Sequence, residues 1–255
     1  MDLKPLREQI IRISTRAQEG HIPSALSILD ILYVLYNQIL KIDPSHPNDP
    51  QRDRFVLSKG HAAIGLYVIL AQRGFFPPSE LEIFGAHASI LGGHPDKNKI
   101  PGVEASTGSL GHGFPMSVGM ALGLAIKKSP ARVYTIIGDG EANEGSSWEA
   151  ALLAAHHKLD NLRCIIDYNH STDRALSVGD IQDKFRAFNW ETISVDGHNH
   201  EAIRTALQHQ PTAKPLAIIA NTIKGFGCPI MENNPEWHHK FPKDEELQAL
   251  VESLR

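Results

Sequence analysis

Residues 132–169 read RVYTIIGDGEANEGSSWEAALLAAHHKLDNLRCIIDYN, and this stretch decides the fold. Residues 133–137 form an apolar run of β-forming type that breaks at Gly138-Asp139-Gly140. Trp148, Ala151, Leu152, Ala155 and Leu159 follow at helical spacing. A second apolar run, 164–166, ends at Asp167-Tyr168-Asn169. Strand, Gly-rich turn, helix and strand predict a crossover between parallel strands. Both strand ends then lie on one sheet edge, where open α/β sheets hold their ligands. Asp139 and Asn169 can meet there around one hard cation.

The rest of the chain sets the frame. Its 255 residues carry a net charge of −4, with Lys and Arg scattered, so neither a nucleic-acid nor a membrane footprint is present. The opening MDLKPLREQI is charged from its second residue and lacks a secretory pattern. The apolar segment 28–40 is too short to span a bilayer and contains Asp30. Two cysteines, Cys164 and Cys228, make no disulfide framework, and a reducing cytoplasm is the expectation.

Working outward, helices are expected at 6–16, stopping at Gly20, and at 28–40, with Ser24 or Ser27 as N-cap. The second is apolar on nearly all sides and so should be buried. Residues 43–54 are a polar, Pro-rich loop, and 55–62, FVLSKGHA, is a short buried strand with a polar end. The helix 116–126 carries Gly119, Ala121, Gly123 and Ala125, a small face suited to close helix packing. Further strands are expected at 191–196 and 216–220, and helices at 63–74, 185–190, 201–209 and 243–254. The expectation is one α/β domain over 1–255, a mainly parallel sheet flanked by helices.

Five strand ends or nearby turns are polar or Gly-rich: SKGH at 58–61, GDGE at 138–141, DYN at 167–169, DGHN at 196–199 and TIKG at 222–225. In a parallel sheet they converge. Asp139 and Asn169 offer hard oxygen donors, suited to Mg²⁺ or Ca²⁺ rather than zinc. Two side chains are too few to cage a cation, so water and a ligand's phosphate oxygens complete the shell. Gly138 and Gly140 admit backbone amides to that phosphate, and the following helix adds its positive end. The rival phosphate motifs fail: a dinucleotide fingerprint needs Gly where Asn143 stands, and no P-loop pattern occurs. Of the 14 histidines, His156, His157, His200 and His209 read as surface residues. His21, His61, His94 and His238 each lie in a Gly- or Pro-marked turn and suit proton transfer or hydrogen bonding.

The ordered series EGHIPSALS, DRFVLSKGHA, GGHPD, TGSLGHG, GDGE, DYN, VDGHN, TIKGFG and MENNPEWHH resembles the N-terminal, thiamine-diphosphate-binding part of transketolase over about residues 6–240. The resemblance implies a metal held by Asp139, Asn169 and the carbonyl of Ser171, with Mg²⁺ as the ion and Ca²⁺ or Mn²⁺ able to substitute. It places His61, Gly108, Leu110, Gly138, Asp139, Gly140, Glu141, Asn169, Ile223 and His238 around thiamine diphosphate. His21, His94 and His238 become catalytic residues, His21 and His94 facing the sugar channel and His238 near the diphosphate. Glu144 and Glu149 match acidic positions at the family's dimer interface. The implied reaction moves a two-carbon ketol unit from a ketose, phosphorylated in the main reading, to an aldose. Transketolases continue into pyrimidine-binding and C-terminal domains, whereas this sequence stops at Arg255. The expectation is therefore a split enzyme, α2β2, whose second chain carries the pyrimidine-binding domain. Two departures bear on substrate. GHIPSA replaces the usual GHPG, and HSTDRALSVGD follows Asn169, bringing His170, Thr172, Asp173 and Arg174 toward the metal end. The alternatives are a specialised relative acting on a modified sugar, such as a sulfonated ketose, and a non-catalytic regulatory homologue.

Overall fold

The computed structural model describes residues 2–173 and 176–255. Thirteen helices and strands follow in the order α1 Lys4–Ala17, α2 Ile22–Val34, β1 Arg54–Leu57, α3 Ala63–Gln72, α4 Gly113–Ile126, β2 Val133–Gly138, α5 Gly145–His156, β3 Leu162–Tyr168, α6 Ile181–Ala187, β4 Glu191–Asp196, α7 His200–Gln208, β5 Leu216–Asn221 and α8 Asp244–Ser253, with short 3-10 and π turns between them. The five strands form one sheet in the order β1-β2-β3-β5-β4, every pair parallel. Parallel strands covered on both faces bury side chains on both, which is why β2, β3 and β5 are buried along nearly their whole length and are apolar but for a few polar residues. Successive side chains alternate between two cores. Tyr134, Ile136, Ile165 and Ile218 pack with α1, α2, α3, α7 and α8. Val133, Ile137, Cys164, Ile166 and Ile219 pack with α4, α5 and α6.

Helix α2 is the spine of the first core. Every residue from Ile22 to Val34 is buried, and a π turn, Leu35–Ile39, extends it. The segment Ile22–Ile39 is long and apolar enough to cross a membrane by length and composition, yet 83% of it is buried inside the fold. The expected N-caps do not operate. The helix begins at Ile22 with His21 at the cap in a left-handed conformation, φ 64°. Pro at the second helical position, with its preset φ, starts the helix there. Ser24 and Ser27 are therefore inside it and buried.

Two other expectations are corrected. The segment after Gly138-Asp139-Gly140 is a 3-10 turn, Gly140–Asn143, and α5 starts only at Gly145, after Glu144 takes an extended conformation. Ser147, Ala150, Ala151 and Ala154 are its buried stripe, letting it lie close against α4; of the apolar residues expected to pack, Trp148, Ala151, Ala155 and Leu159 do so and Leu152 is turned outward. Of the small residues of α4, Ala121 is buried in the second core, whereas a Cβ at Gly119 or Gly123 would meet open space, so those two glycines serve no packing within the chain.

Candidate functional site

Parallel register brings the site together. Gly138 pairs with Asp167, so Asp139 emerges beside the end of β3, and Asp139 N donates to Asp167 O at 3.2 Å. The ends of β1, β2, β3 and β5 then surround a cleft of about 330 Å³. One wall carries Gly138, Asp139, Gly140 and Glu141, with Asn169 and Ser171 beside them. His21, His61, His94 and His238 form the other side, with Gly108 and Leu110 between. Every site residue expected from the sequence is in this lining except Ile223, whose N–H is turned away to His198 at 2.8 Å. Its neighbour Lys224 takes the lining position instead. The fourth motif, DGHN at the end of β4, lies behind the cleft and not in it.

The oxygen donors are held in place. Asp139 accepts from Gly140 N at 2.8 Å and from Ser171 Oγ at 3.1 Å. The Asn169 amide nitrogen donates to Asp167 at 3.0 Å and to Ser27 Oγ at 3.1 Å, which leaves its oxygen to accept from Ser171 N at 3.1 Å, on the Asp139 side. Beneath them Asp167, fully buried, forms an ion pair with buried Lys59. Burial pushes the Asp167 carboxyl upward, but Lys59 and the hydroxyls of Ser27 and Thr222 outweigh it and hold it below the usual carboxylate range. Glu141 accepts from Ser58 Oγ and from Gly111 N, the latter at 3.0 Å, and burial raises its pKa.

The imidazoles cluster. The ring of His21 lies 5.1 Å from that of His61, 5.8 Å from His238 and 4.5 Å from His239. Burial, then the neighbouring His239 and His238, lowers His21 to about 4. Burial, then Lys59, lowers His61 to about 2. Burial likewise lowers His238, and burial followed by Lys59 lowers Lys224 to about 8. His21 and His61 are thus neutral at pH 7, able to donate or accept a hydrogen bond without carrying charge. His94 stacks over Gly108, where a Cβ would come within 2.9 Å of the ring. The left-handed backbone of His21 is a sparsely populated conformation for a residue with a side chain, a strain that clusters at functional sites.

Sequence reasoning missed three lining residues, Ser24, Lys59 and Lys224. A Lys in a Gly-marked turn just past an apolar strand, as in SKGH and TIKG, was the available signal. It also missed the support from Asp167, Ser27 and Thr222. His200, read as a surface residue, is paired with buried Asp30 at 2.8 Å. Glu144 and Glu149 are exposed. Thr172 lies against Asp139 and Gly140, while His170 and Asp173 pair with each other at 2.9 Å in solvent. Arg174 lies outside the described residues.

The donor set fits a cation-bridged diphosphate. Asp139, Asn169 and Ser171 present hard oxygens, and among the described residues no three His, Cys, Asp or Glu side chains cluster into a closed metal cage. Around the same cleft three buried polar atoms lack a hydrogen-bond partner among the described residues: His21 Nδ1, Ser24 Oγ and Glu141 Oε2. A polar ligand would satisfy them. Fold and site together define a cofactor-binding α/β protein with its ligand at the carboxyl edge of the sheet.

The comparison with known proteins is specific. Residues 4–254 match the transketolase family's thiamine diphosphate binding domain, and the chain belongs to that family. It is 40% identical over 259 residues to an apulose-4-phosphate transketolase subunit of Actinobacillus succinogenes, covering 99% of this chain and 94% of that one. It is 41% identical over 242 residues to 6-deoxy-6-sulfo-D-fructose transketolase subunit SqwG of Clostridium sp., covering 92% and 88%. A solved transketolase variant from Pichia stipitis superposes with a TM-score of 0.90 at 28% identity, over 97% of this chain and 39% of that chain. The chain thus spans about two fifths of that full-length transketolase.

Proposed function

We propose that this chain is the diphosphate-binding subunit of a two-chain, thiamine-diphosphate-dependent transketolase. The carrying observation is the cleft itself: two fixed oxygen donors, Asp139 and Asn169, opposite neutral imidazoles, with three orphaned polar atoms in the lining residues. Asp139, Asn169 and the Ser171 carbonyl would hold Mg²⁺, or Ca²⁺ or Mn²⁺ in its place. His61, Gly140, Glu141 and Lys224 would surround the diphosphate, with Gly108 and Leu110 beside the rings. When bound, thiamine diphosphate supplies the electron sink for breaking the carbon–carbon bond next to a ketose carbonyl.

The protein's own part is orientation and proton exchange. His21, neutral at pH 7, accepts a hydrogen bond or a proton from a sugar hydroxyl, and His94 and His238 present further imidazoles to the same space. The transferred group in this reading is a two-carbon ketol unit, moved from a phosphorylated ketose to an aldose. Retention of Asp139, Asn169 and all four cleft histidines argues against a non-catalytic regulator.

A partner subunit carrying the pyrimidine-binding domain completes the enzyme as an α2β2 assembly working in the cytoplasm. Support for the partner comes from the two relatives named as transketolase subunits, which this chain matches over nearly their whole length. Support for the compartment comes from Cys164 and Cys228, both free and buried. The test is ketol transfer by the purified chain, alone and with the product of a neighbouring reading frame. Activity should require both; full activity of the lone chain sinks the two-chain reading. A panel of phosphorylated and sulfonated ketoses then decides the donor. The sulfonated reading draws on the relative that acts on a sulfonated fructose and on Thr172, which packs against the metal end of the cleft.

A further inference from the structure

The DGHN turn that ends β4 takes no part in the cleft, yet its residues are firmly placed. Asn199 caps α7 by accepting from Ala202 N at 3.0 Å. His198 faces the back of the loop 222–227. Its Nε2 accepts the N–H of Ile223 at 2.8 Å. A ring nitrogen that accepts from a backbone amide carries no proton, so in the neutral ring the proton is on Nδ1. Nδ1 lies 3.1 Å from Asp30 Oδ2 and donates to it. Asp30 is buried in the middle of α2, where Arg7 at 3.1 Å and His200 at 2.8 Å also donate to its carboxylate. Asp30 therefore sets both the tautomer and the tilt of His198.

The imidazole also holds the loop by its face. His198 and Phe226 stack with centroids 3.6 Å apart and planes 15° apart. Ile223 and Phe226 are the two ends of one tight turn, closed by Phe226 N donating to Ile223 O at 3.0 Å. One ring thus grips both ends. Lys224 lies between them, on the side facing the cleft, with its amine 3.0 Å from His238 Nδ1. Without His198 the Ile223 N–H has no other partner among the described residues, and a partly buried donor left unmade is unfavourable.

We propose that His198, oriented by Asp30, is a positioning residue for the cofactor cleft: it clamps the 222–227 loop from behind and so places Lys224 and, through it, His238. The clamp does not depend on which ligand the cleft takes; only the choice of thiamine diphosphate as probe rests on the proposed function.

Two measurements test it. The first needs no ligand: hydrogen exchange of the 222–227 segment in the full chain, followed by mass spectrometry, should speed up in His198→Ala and return toward wild type in His198→Gln, whose amide oxygen can accept the Ile223 N–H. The second is titration of the assembled enzyme with thiamine diphosphate and Mg²⁺. His198→Ala should weaken binding about tenfold, the loss of one well-placed hydrogen bond. Lys224→Ala should weaken it too, and the double variant should be little worse than Lys224→Ala, because both act through one loop. Fully additive losses, or exchange in the segment unchanged by His198→Ala, overturn the clamp. Failure of the assembled wild type to bind thiamine diphosphate overturns the functional reading instead, and leaves the exchange result to decide the clamp by itself.

Discussion

The side-chain amide of Asn169 donates to the carboxylate of Asp167 at 3.0 Å. Residues two apart along an extended chain share a face, so a carboxylate at the strand end can orient the amide that follows. The carboxylate accepts because it is ionised, and it is ionised because Lys59 is paired with it in the same buried space. The orientation of a metal-facing oxygen thus rests on the buried Lys59–Asp167 ion pair beneath it. Asp167→Asn should leave Lys59 as an unpaired buried cation and destabilise the chain by about 3–5 kcal/mol, read by chemical denaturation. Replacing both partners, Lys59→Met with Asp167→Leu, should recover most of that stability. It should not recover Mg²⁺-dependent thiamine diphosphate binding, because the Asn169 amide nitrogen keeps only its bond to Ser27 and the cleft loses the Lys59 amine.

Asp139→Ala separates ligand binding from folding. The carboxylate accepts from Gly140 N at the head of a short turn, and losing such a cap contributes about 1 kcal/mol of destabilisation. The fold should therefore persist while binding of thiamine diphosphate with Mg²⁺ disappears from calorimetry. Unchanged binding would refute the metal assignment.

Stability should fall in acid through the cleft histidines. His21 is lowered to about 4 and His61 to about 2, both first by burial, from an ordinary value of 6.5. Below that ordinary value the unfolded chain takes up protons that the folded chain refuses, so stability drops as pH falls from 6.5 toward 4 and is level above 6.5. His21 is only half-buried and solvent screens it, so its share is about 1 kcal/mol. His61 contributes more. Urea midpoints measured on either side of this window should show the slope, and His61→Asn should flatten it.

Gly60 tests the approach of two loops. A Cβ there would lie 2.8 Å from both Thr107 C and Gly108 N, backbone atoms that cannot swing aside. Gly60→Ala should push the loop carrying Gly108 and Leu110 outward, with about 1–3 kcal/mol of destabilisation. Thiamine diphosphate affinity in the assembled enzyme should fall with it, and calorimetry on the variant would show whether the two losses travel together.

Much of this was legible without coordinates, and the reasons differ by residue. The runs at 133–137 and 164–166 read as buried parallel strands, since strands covered on both faces lose the usual alternation and turn residues, Gly138-Asp139-Gly140 and Asp167-Tyr168-Asn169, end them. Asp139, Asn169 and His61 stood out because polar groups just past such strands have one edge to share, and His21, His94 and His238 because each lies in a Gly- or Pro-marked turn. Ser24 and Ser27 misled because a Ser before an apolar run reads as a cap, whereas Pro23 starts the helix earlier and turns both inward. Lys59 gave little sign of its role, since its partner Asp167 is distant in sequence and a lysine is ordinarily a surface residue.

Period and punctuation in the chain were therefore enough to determine the βαβ order, the parallel sheet and the oxygen donors at its edge, because those depend on local spacing. Which motif reaches the cleft was decided only by the folded structure. The β1-β2-β3-β5-β4 order puts β4 at the sheet's far edge, so its His198 turns to the back of a loop while Lys224 takes the front. That placement comes from strand order and from buried pairs between distant residues, and neither has a spacing that a sequence can display.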